Sequence, residues 1–240
     1  MSVPATVSEQ RPLLSCRLGL VPYQEAWDLQ RRLHAERVEG ARPDTLLLLQ
    51  HPPVYTLGRN AAEEHILVPA DELSRRGATV VRIDRGGEVT YHGPGQLVAY
   101  PIIKLEGDER SIALLVHNLE QAIIDTLGAF GIPGERLADQ RGVWARGCKI
   151  ASVGLSVKKW VAMHGMALNV AMDMSYFTLI NPCGHPETVM TSMEQQLGQP
   201  PPIDDVATEF ARNFARLFER RLAWSTIDEP ALAAIAPAVR

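Results

Sequence analysis

The fold of this chain is organised around one stretch, Arg85-Gly86-Gly87-Glu88-Val89-Thr90-Tyr91-His92-Gly93-Pro94-Gly95-Gln96. Valine, threonine and tyrosine favour a pleated sheet, whereas glycine inside a strand weakens it. Glycines in such a place are explained if the backbone needs a positive φ, or if a ligand approaches the chain closely. A glycine-rich hairpin between two strands is the alternative, and the spacing favours neither explanation.

Two common nucleotide-binding loops are excluded at this stretch. No Gly-Lys-Ser or Gly-Lys-Thr follows it, as a Walker phosphate loop requires. The run after it, residues 97–103, is strand-like, whereas a dinucleotide-binding turn opens a helix. We therefore expect a ligand other than a nucleotide beside residues 85–96.

Outward toward the N-terminus, apolar spacing and punctuation by glycine and proline predict the elements. One strand at 79–83 leads into the stretch, and another at 96–103 leaves it. The earlier elements are a strand at 13–21, a helix from Pro22 to near Gly40, a buried strand at 45–49, a strand at 54–57 pairing beside it and a short helix at 69–76.

Toward the C-terminus, the clearest helical stripe covers residues 112–127. Further predicted elements are strands at 143–144, 149–157 and 160–170, an irregular segment at 172–200 and a helix at 203–222. No linker or repeat divides them, so we predict a single catalytic domain over residues 1–240, with its core at 12–222. Its class is α+β, with a mixed, largely antiparallel sheet backed by helices.

Composition narrows the function classes. The chain has 240 residues, 46% of them hydrophobic, and a net charge of −4, which argues against broad binding to nucleic acid or membrane. No apolar run approaches the ~20 residues that span a bilayer, and residues 1–10 do not resemble a signal peptide. The three cysteines are too widely spaced for a disulfide framework, so we expect the reducing cytoplasm and a free thiol.

Cys183 is the candidate nucleophile. It lies in Asn181-Pro182-Cys183-Gly184-His185-Pro186, where proline and glycine indicate a loop. A cysteine is often only a small buried hydrophobe, but loops carry a disproportionate share of functional residues.

Lys149 is the candidate partner of that thiol. It lies between Cys148 and Ile150 in an apolar strand, where an ammonium group is costly unless it has a function. Lowering a thiol pKa by ~2 units requires about 2.7 kcal/mol. One ammonium ~4 Å away supplies about 4 kcal/mol before desolvation. The alternative is that Lys149 protects a sheet edge from aggregation.

Other readings of these side chains are weaker. Cys148, Cys183, His164 and His185 include acceptable zinc ligands, but no pair has the usual metal-site spacing, and we expect neither metal nor cofactor. A Cys-His-Asn hydrolase has no local signature here. His164 is interpreted as a core histidine with satisfied hydrogen bonds, and its neighbour Gly165 as the residue that lets a ligand lie against the strand.

The chain resembles the lipoyl (octanoyl) transferase family in three blocks over roughly residues 12–222. The blocks are residues 85–96, residues 147–154, and residues 164–170 followed by 181–184. The resemblance implies the class II synthetase-like fold of biotin and lipoate protein ligases. It also implies that Cys183 carries the acyl group and that Lys149 lowers its pKa. The substrate site would be lined by Arg85, Gly86, Gly87, Glu88, Val89, Thr90, Tyr91, His92, Ser152, Val153, Gly154, Gly165, Met166 and Ala167.

The resemblance further implies the partners. Octanoyl-acyl carrier protein would be the donor, and lipoyl domains of 2-oxoacid dehydrogenases and the glycine cleavage H protein the acceptors. Such partners are acidic, so we expect docking on a local basic patch, whose candidates are Arg75, Arg76, Arg82, Arg141, Lys158 and Lys159. The rival functions are an ATP-using lipoate or biotin protein ligase and a non-catalytic acyl-binding or carrier-docking protein.

Overall fold

The structure of the protein, a computed structural model, describes residues 10–138, 140–181 and 187–226. Its strands are β1 Arg11–Leu20, β2 Asp44–Gln50, β3 Val54–Leu57, β4 Thr79–Arg82, β5 Val89–His92, β6 Gln96–Ile102, β7 Gly134–Leu137, β8 Gln140–Ala145, β9 Cys148–Lys158, β10 Val161–Asn169 and β11 Arg220–Trp224. Its α-helices are α1 Tyr23–Glu39, α2 Ala70–Arg75, α3 Ile112–Ala129, α4 Met193–Leu197 and α5 Ile203–Leu217.

Two sheets form the framework. The larger has the strand order β11-β1-β2-β6-β10-β9-β8-β7, and the smaller has the order β4-β3-β5. In the larger sheet, β1 runs parallel to β11 and β2, and the other neighbours are antiparallel. In the smaller sheet, β3 runs parallel to β4 and antiparallel to β5. The prediction of a mixed, largely antiparallel α+β fold is confirmed.

Helices cover both faces of the large sheet. The predicted stripe buries Leu115, Leu119, Ile123 and Leu127 of α3 in one core cluster, which also contains Phe210 of α5. Ser111 caps α3 by accepting a hydrogen bond from Leu114 N. A second cluster contains apolar residues of α1. Full burial of one such leucine or phenylalanine contributes about 1.5–3 kcal/mol, so these stripes hold the helices on the sheet.

Two predicted elements are wrong in placement. The predicted helix 203–222 ends at Leu217, and β11 then pairs in parallel with β1. Buried Arg220 starts this strand because Asp44 and Glu109 accept its hydrogen bonds, both at 2.7 Å. The strand predicted at 54–57 is β3, which lies in the small sheet and does not pair with β2.

Three further elements were missed. Strand β7 forms the edge of the large sheet beside β8. The segment 172–200, predicted as irregular, contains a 3-10 helix at Met174–Leu179 as well as α4. Among the described residues, no helix combines the length and apolar character needed to cross a membrane.

The stretch 85–96 connects the two sheets. Its first strand, β5, pairs with β3, whereas β6 pairs with β2 and β10, so the hairpin alternative is wrong. Gly87 and Gly95 have φ values of 87° and 83°, in the region that favours glycine. A Cβ on Gly95 would also lie 1.8 Å from the carbonyl oxygen of Ala171. Positive φ and close backbone packing therefore explain these two glycines.

Candidate active site

A cavity of about 370 Å³ is lined by residues of both sheets and by the start of α1. Every described residue that the sequence predicted for the site lines it, apart from Gly86 and Tyr91. Cys183 lies outside the described residues. Lining residues that sequence reasoning missed include Tyr23, Asn60, Tyr100, Gln140 and Thr188.

Lys149 borders this cavity as a buried cation, with 4% of its surface exposed. Its Nζ lies 4.9 Å from the centre of the Trp144 ring, a distance at which a cation and an aromatic face attract. A Cβ on Gly142 would lie 2.9 Å from Lys149 Cε, so glycine at 142 leaves room for this side chain. Strand β9 lies between β8 and β10, so the interpretation of Lys149 as a guard of a sheet edge is wrong.

The chain on either side of 182–186 is anchored near the cavity. Lys149 N donates to Val189 O at 2.8 Å, and Thr191 N donates to Lys149 O at 2.9 Å. Asn181 N donates to the carbonyl oxygen of His65, whose ring lies 3.0 Å from the cavity-lining carboxylate of Glu88. Both anchors are therefore next to residues that line the cavity.

Arg85 is a fixed part of the cavity wall. Its guanidinium donates to Thr56 O at 2.8 Å and to Thr56 Oγ1 at 2.9 Å. A Cβ on Gly58 would lie 2.9 Å from Arg85 Nη1, and a Cβ on Gly154 would lie 3.0 Å from Arg85 Cδ. These two glycines make room for the arginine. Gly86 donates its N–H to Leu155 O at 3.0 Å, which ties the stretch to β9.

Gly165 has a packing role besides the one predicted for it. A Cβ there would lie 2.1 Å from the carbonyl oxygen of Ala99 and 2.6 Å from Pro101 Cδ. Glycine at 165 is therefore required for the close approach of β10 to β6. The residue also lines the cavity, but packing between the strands is sufficient to explain it.

Tyr91 contacts a different part of the molecule. Its ring stacks on Tyr176 with centroids 4.6 Å apart, and it packs with Tyr55 and Phe177 in an apolar cluster. Burial raises its pKa. Side chains alternate along a strand, so Thr90 and His92 share the cavity face of β5 while Tyr91 faces the other way. This alternation is a sequence signal for the direction of Tyr91, whereas Val89, which shares the apolar cluster with Tyr91, also borders the cavity.

His92 belongs to a buried polar group behind the cavity. Its Nδ1 lies 2.8 Å from Gln96 Oε1. His51 Nε2 lies 2.8 Å from the Tyr100 hydroxyl, and His51 Nδ1 lies 2.7 Å from Val21 O. Burial lowers the pKa of His92 to about 3 and that of His51 to about 4. Both imidazoles are therefore neutral at physiological pH.

His164 is only half satisfied, in contrast to its interpretation as a satisfied core residue. Its Nε2 lies 2.9 Å from Asp84 Oδ1, whereas its buried Nδ1 has no hydrogen-bond partner among the described atoms. Its φ of 61° is unusual for a residue with a Cβ. Burial would raise the pKa of Asp84, but hydrogen bonds from Lys158 and His164 outweigh it and lower the pKa to about 2. Asp84 thus ties the stretch 85–96 to β9 and β10.

Candidate metal ligands lie apart from one another in the described part of the chain. There, no group of three or more histidine, cysteine, aspartate or glutamate side chains is placed to hold an ion. Burial raises the pKa of Cys16 to about 11, so this thiol is protonated at neutral pH and a poor nucleophile. Cys148 is half-buried at the start of β9.

Most of the predicted basic patch is neutralised by acidic neighbours. Arg75 pairs with Asp71 and Glu72, and Arg76 also pairs with Glu72. Similar ion pairs join Arg82 to Glu63 and Lys158 to Asp84. Arg141 has no carboxylate partner among the residues described, and it lines the cavity. Of the predicted patch, Arg141 is thus the cation best placed beside the site.

Comparison with known proteins identifies the family. The catalytic-domain model of lipoyl protein ligase A/B matches residues 22–215. An octanoyltransferase of Chloroflexus aggregans is 46% identical over 214 residues, covering 88% of this chain and 97% of that protein. The chain belongs to the lipoyl protein ligase A/B catalytic domain family.

Solved structures show the same fold within and beyond this family. A crystal structure of lipoate-protein ligase A bound with ATP superposes with a TM-score of 0.72 at 17% identity, covering 95% of this chain and 93% of that one. Biotin protein ligase from Aquifex aeolicus, in complex with biotin and ATP, gives a TM-score of 0.51 at 14% identity, covering 86% and 70%. The predicted biotin and lipoate protein ligase-like fold is confirmed.

Proposed function

We propose that this protein is an octanoyltransferase of lipoate biosynthesis that works through a thioester on Cys183. The donor is octanoyl-acyl carrier protein, and the acceptor is a lysine of a lipoyl domain. The observation that carries the proposal is buried Lys149 at the wall of a largely apolar cavity, next to the chain that continues from Cys183. The naming of the Chloroflexus aggregans relative as an octanoyltransferase supports the same activity.

In the first half-reaction, the Cys183 thiolate attacks the carbonyl carbon of the donor thioester. A new carbon–sulfur bond forms to Cys183, the bond to the pantetheine sulfur breaks, and that sulfur takes up a proton from the Lys149 ammonium group, which leaves Lys149 neutral. The ammonium group of Lys149 favours the thiolate over the thiol, because an opposite charge nearby lowers a thiol pKa. One thioester replaces another, so this step is near balance.

In the second half-reaction, the acceptor lysine attacks the Cys183 thioester as a free amine. A carbon–nitrogen bond forms, the nitrogen loses a proton, and the carbon–sulfur bond breaks to restore the Cys183 thiolate. We take Lys149, neutral after the first half-reaction, as the acceptor of the proton that the attacking amine loses. Conversion of a thioester to an amide is downhill, so the proposed cycle uses no ATP.

The ligase alternative shares the fold but differs in chemistry. A ligase forms an acyl-adenylate and does not require a covalent cysteine intermediate. The superposition on an ATP-bound lipoate ligase at 17% identity concerns the fold and does not assign that reaction to this chain. Cys183 and Lys149 favour the transferase.

The acceptors we propose are lipoyl domains of 2-oxoacid dehydrogenases and the glycine cleavage H protein, and the compartment is the cytoplasm. Arg141 beside the cavity is the proposed contact for these acidic partners. Nucleic acid and membrane are not proposed as partners, because the net charge of −4 disfavours both.

Intact mass spectrometry tests the proposed function. The protein is incubated with octanoyl-acyl carrier protein without ATP, and the modified residue is located by peptide mapping. We expect one octanoyl adduct on Cys183 that disappears when a lipoyl domain is added, with equal gain on that domain. Cys16→Ala and Cys148→Ala are the matched controls and should keep the adduct. Octanoylation of the lipoyl domain only with ATP and free octanoate, without an adduct on Cys183, would establish the ligase instead.

A further inference from the structure

We propose that the rings of Tyr23, His92 and Tyr100 form the closed end of the cavity and set the length of the acyl chain that fits. The inference rests on the proposed function, because it concerns the acyl group which that function places here. It adds a specificity determinant, made of residues that neither the sequence motifs nor the reaction identifies as a unit.

The registers of the strands place these rings far from Lys149. Gly154 follows Lys149 by five positions on β9, which corresponds to about 17 Å at about 3.3 Å per residue. Gly154 lies opposite Gly165 on β10, and the next residue along, Met166, pairs with Ala99 of β6. Tyr100 follows Ala99, so the ring end and the lysine end are separated both along and across the large sheet.

The rings form a continuous surface. The Tyr23 and His92 rings stack with centroids 6.0 Å apart and an interplanar angle of 18°. His51 lies behind them, 5.0 Å from Tyr23, 5.7 Å from His92 and 5.9 Å from Tyr100 between ring centroids. Each of the four residues is at most 7% exposed. In contrast, Asn60, Gln140 and Arg141, which also line the cavity, are exposed and mark its open end.

The polar atoms of the wall bond to one another and to the protein behind it. The Tyr100 hydroxyl bonds to His51 Nε2, and His51 Nδ1 bonds to Val21 O. Gln96 bonds to His92 through Oε1 and donates from Nε2 to Asn169 Oδ1 at 2.9 Å. A buried polar group disfavours an alkyl neighbour mainly when it lacks a partner. The wall therefore offers neutral ring surfaces to an acyl tail.

This network also makes the wall rigid. The four rings come from four places in the chain: the start of α1, the residue after β2, the end of β5 and the middle of β6. Displacing one ring would break hydrogen bonds that have no access to water. An acyl chain that stops short of the wall gains contact with each added methylene. A chain that is too long must displace a ring. A sharp length limit follows.

Binding of S-alkyl pantetheine thioethers tests the wall without requiring any transfer. Dissociation constants are measured by calorimetry for alkyl chains of increasing length, with the eight- and ten-carbon ligands as the central pair. For the wild type we expect about fourfold tighter binding per added methylene, from ~0.8 kcal/mol each, up to a limit, and then a loss of affinity. In Tyr23→Ala the preference for the ten-carbon over the eight-carbon ligand should rise by about tenfold or more.

Two variants complete the design. Tyr23→Phe keeps the ring and should keep the wild-type length profile. Tyr23→Leu opens less space and replaces Tyr23→Ala if the latter does not fold, as judged by its melting temperature. A wild type whose affinity rises without limit, or folded Tyr23→Ala or Tyr23→Leu with the wild-type profile, would overturn the proposal. If octanoyl transfer is absent but the binding profile is as expected, the proposed function is refuted, whereas the proposal that these rings limit the chain length still holds.

Discussion

Arg220 and Lys149 are both buried cations on strands of the large sheet, 3% and 4% exposed, but their surroundings differ. Arg220 donates to Asp44 and Glu109 and so joins β11 to the loop before α3 and the start of β2. Lys149 lies beside the Trp144 ring and borders a cavity. Similar burial therefore occurs in two different settings. Arg220 contacts carboxylates of the fold, and Lys149 borders a cavity that a substrate can occupy.

The largest expected effect concerns the thiol that Lys149 is proposed to activate. Cys183→Ala should lower octanoyl transfer by at least about 10⁴-fold, because the covalent intermediate is lost. Transfer is measured as octanoyl gain on a lipoyl domain, with the melting temperature as a control for folding. Cys148→Ala, which removes the half-buried thiol beside Lys149, should transfer at the wild-type rate. Full activity in Cys183→Ala would contradict the proposed mechanism.

Arg220→Met should reduce the free energy of unfolding by about 3–5 kcal/mol, because it leaves buried Asp44 and half-buried Glu109 without this partner. Urea unfolding at neutral pH measures the loss. In the folded variant, the pH dependence of Cys183 alkylation should match the wild type. A shifted alkylation profile would show that the two cations do not have separate roles.

Acid titration tests the role of the carboxylates that surround Arg220. Burial would raise the pKa of Glu109, but hydrogen bonds from Arg220 and Arg11 outweigh it and lower the pKa to about 2. A carboxylate with a depressed pKa stabilises the fold above its ordinary pKa, and this contribution is lost as the pH falls toward 2. Wild-type stability should therefore decline over this range. The decline should be smaller in Arg220→Met, and equal slopes would refute the linkage.

The smallest expected effect lies at the exposed end of the cavity. Arg141→Ala should raise the KM for octanoyl-acyl carrier protein about two- to fivefold at low salt, the range for an exposed charge pair. The difference should shrink at high salt, because exposed charges are screened within about 8 Å at physiological ionic strength. Arg75→Ala is the matched control, since Asp71 and Glu72 already neutralise Arg75. Equal KM values for Arg141→Ala and the wild type at all salt concentrations would favour apolar docking.

Local pattern was sufficient for much of the fold. The apolar stripe of α3 and the strand runs around residues 45–49 and 149–157 were predictable because burial on one face or both leaves a regular spacing. Lys149 was recognisable because an ammonium group is costly among apolar neighbours, and the structure buries it.

Long-range contacts explain what the sequence left out. The helical pattern was extended to Leu222, whereas residues 220–224 form a strand through pairing with distant β1, and Arg220 is held there by Asp44 and Glu109. Tyr23 and Tyr100 belong to different elements far apart in sequence, so no spacing indicates that their rings line one cavity. Asp84 precedes the glycine-rich stretch, and its link to His164 crosses 80 residues of chain.

The pH dependence of Cys183 alkylation by iodoacetamide tests the central claim most directly. It is measured by peptide mass spectrometry for the wild type, Lys149→Met and Lys149→Arg. If the Lys149 ammonium lowers the thiol pKa, Lys149→Met should shift the midpoint up by about 1–2 pH units. Lys149→Arg keeps a charge and should retain part of the thiolate, yet it should lose transfer because arginine does not deprotonate. Coinciding midpoints in all three proteins would contradict the account and make Lys149 a structural residue.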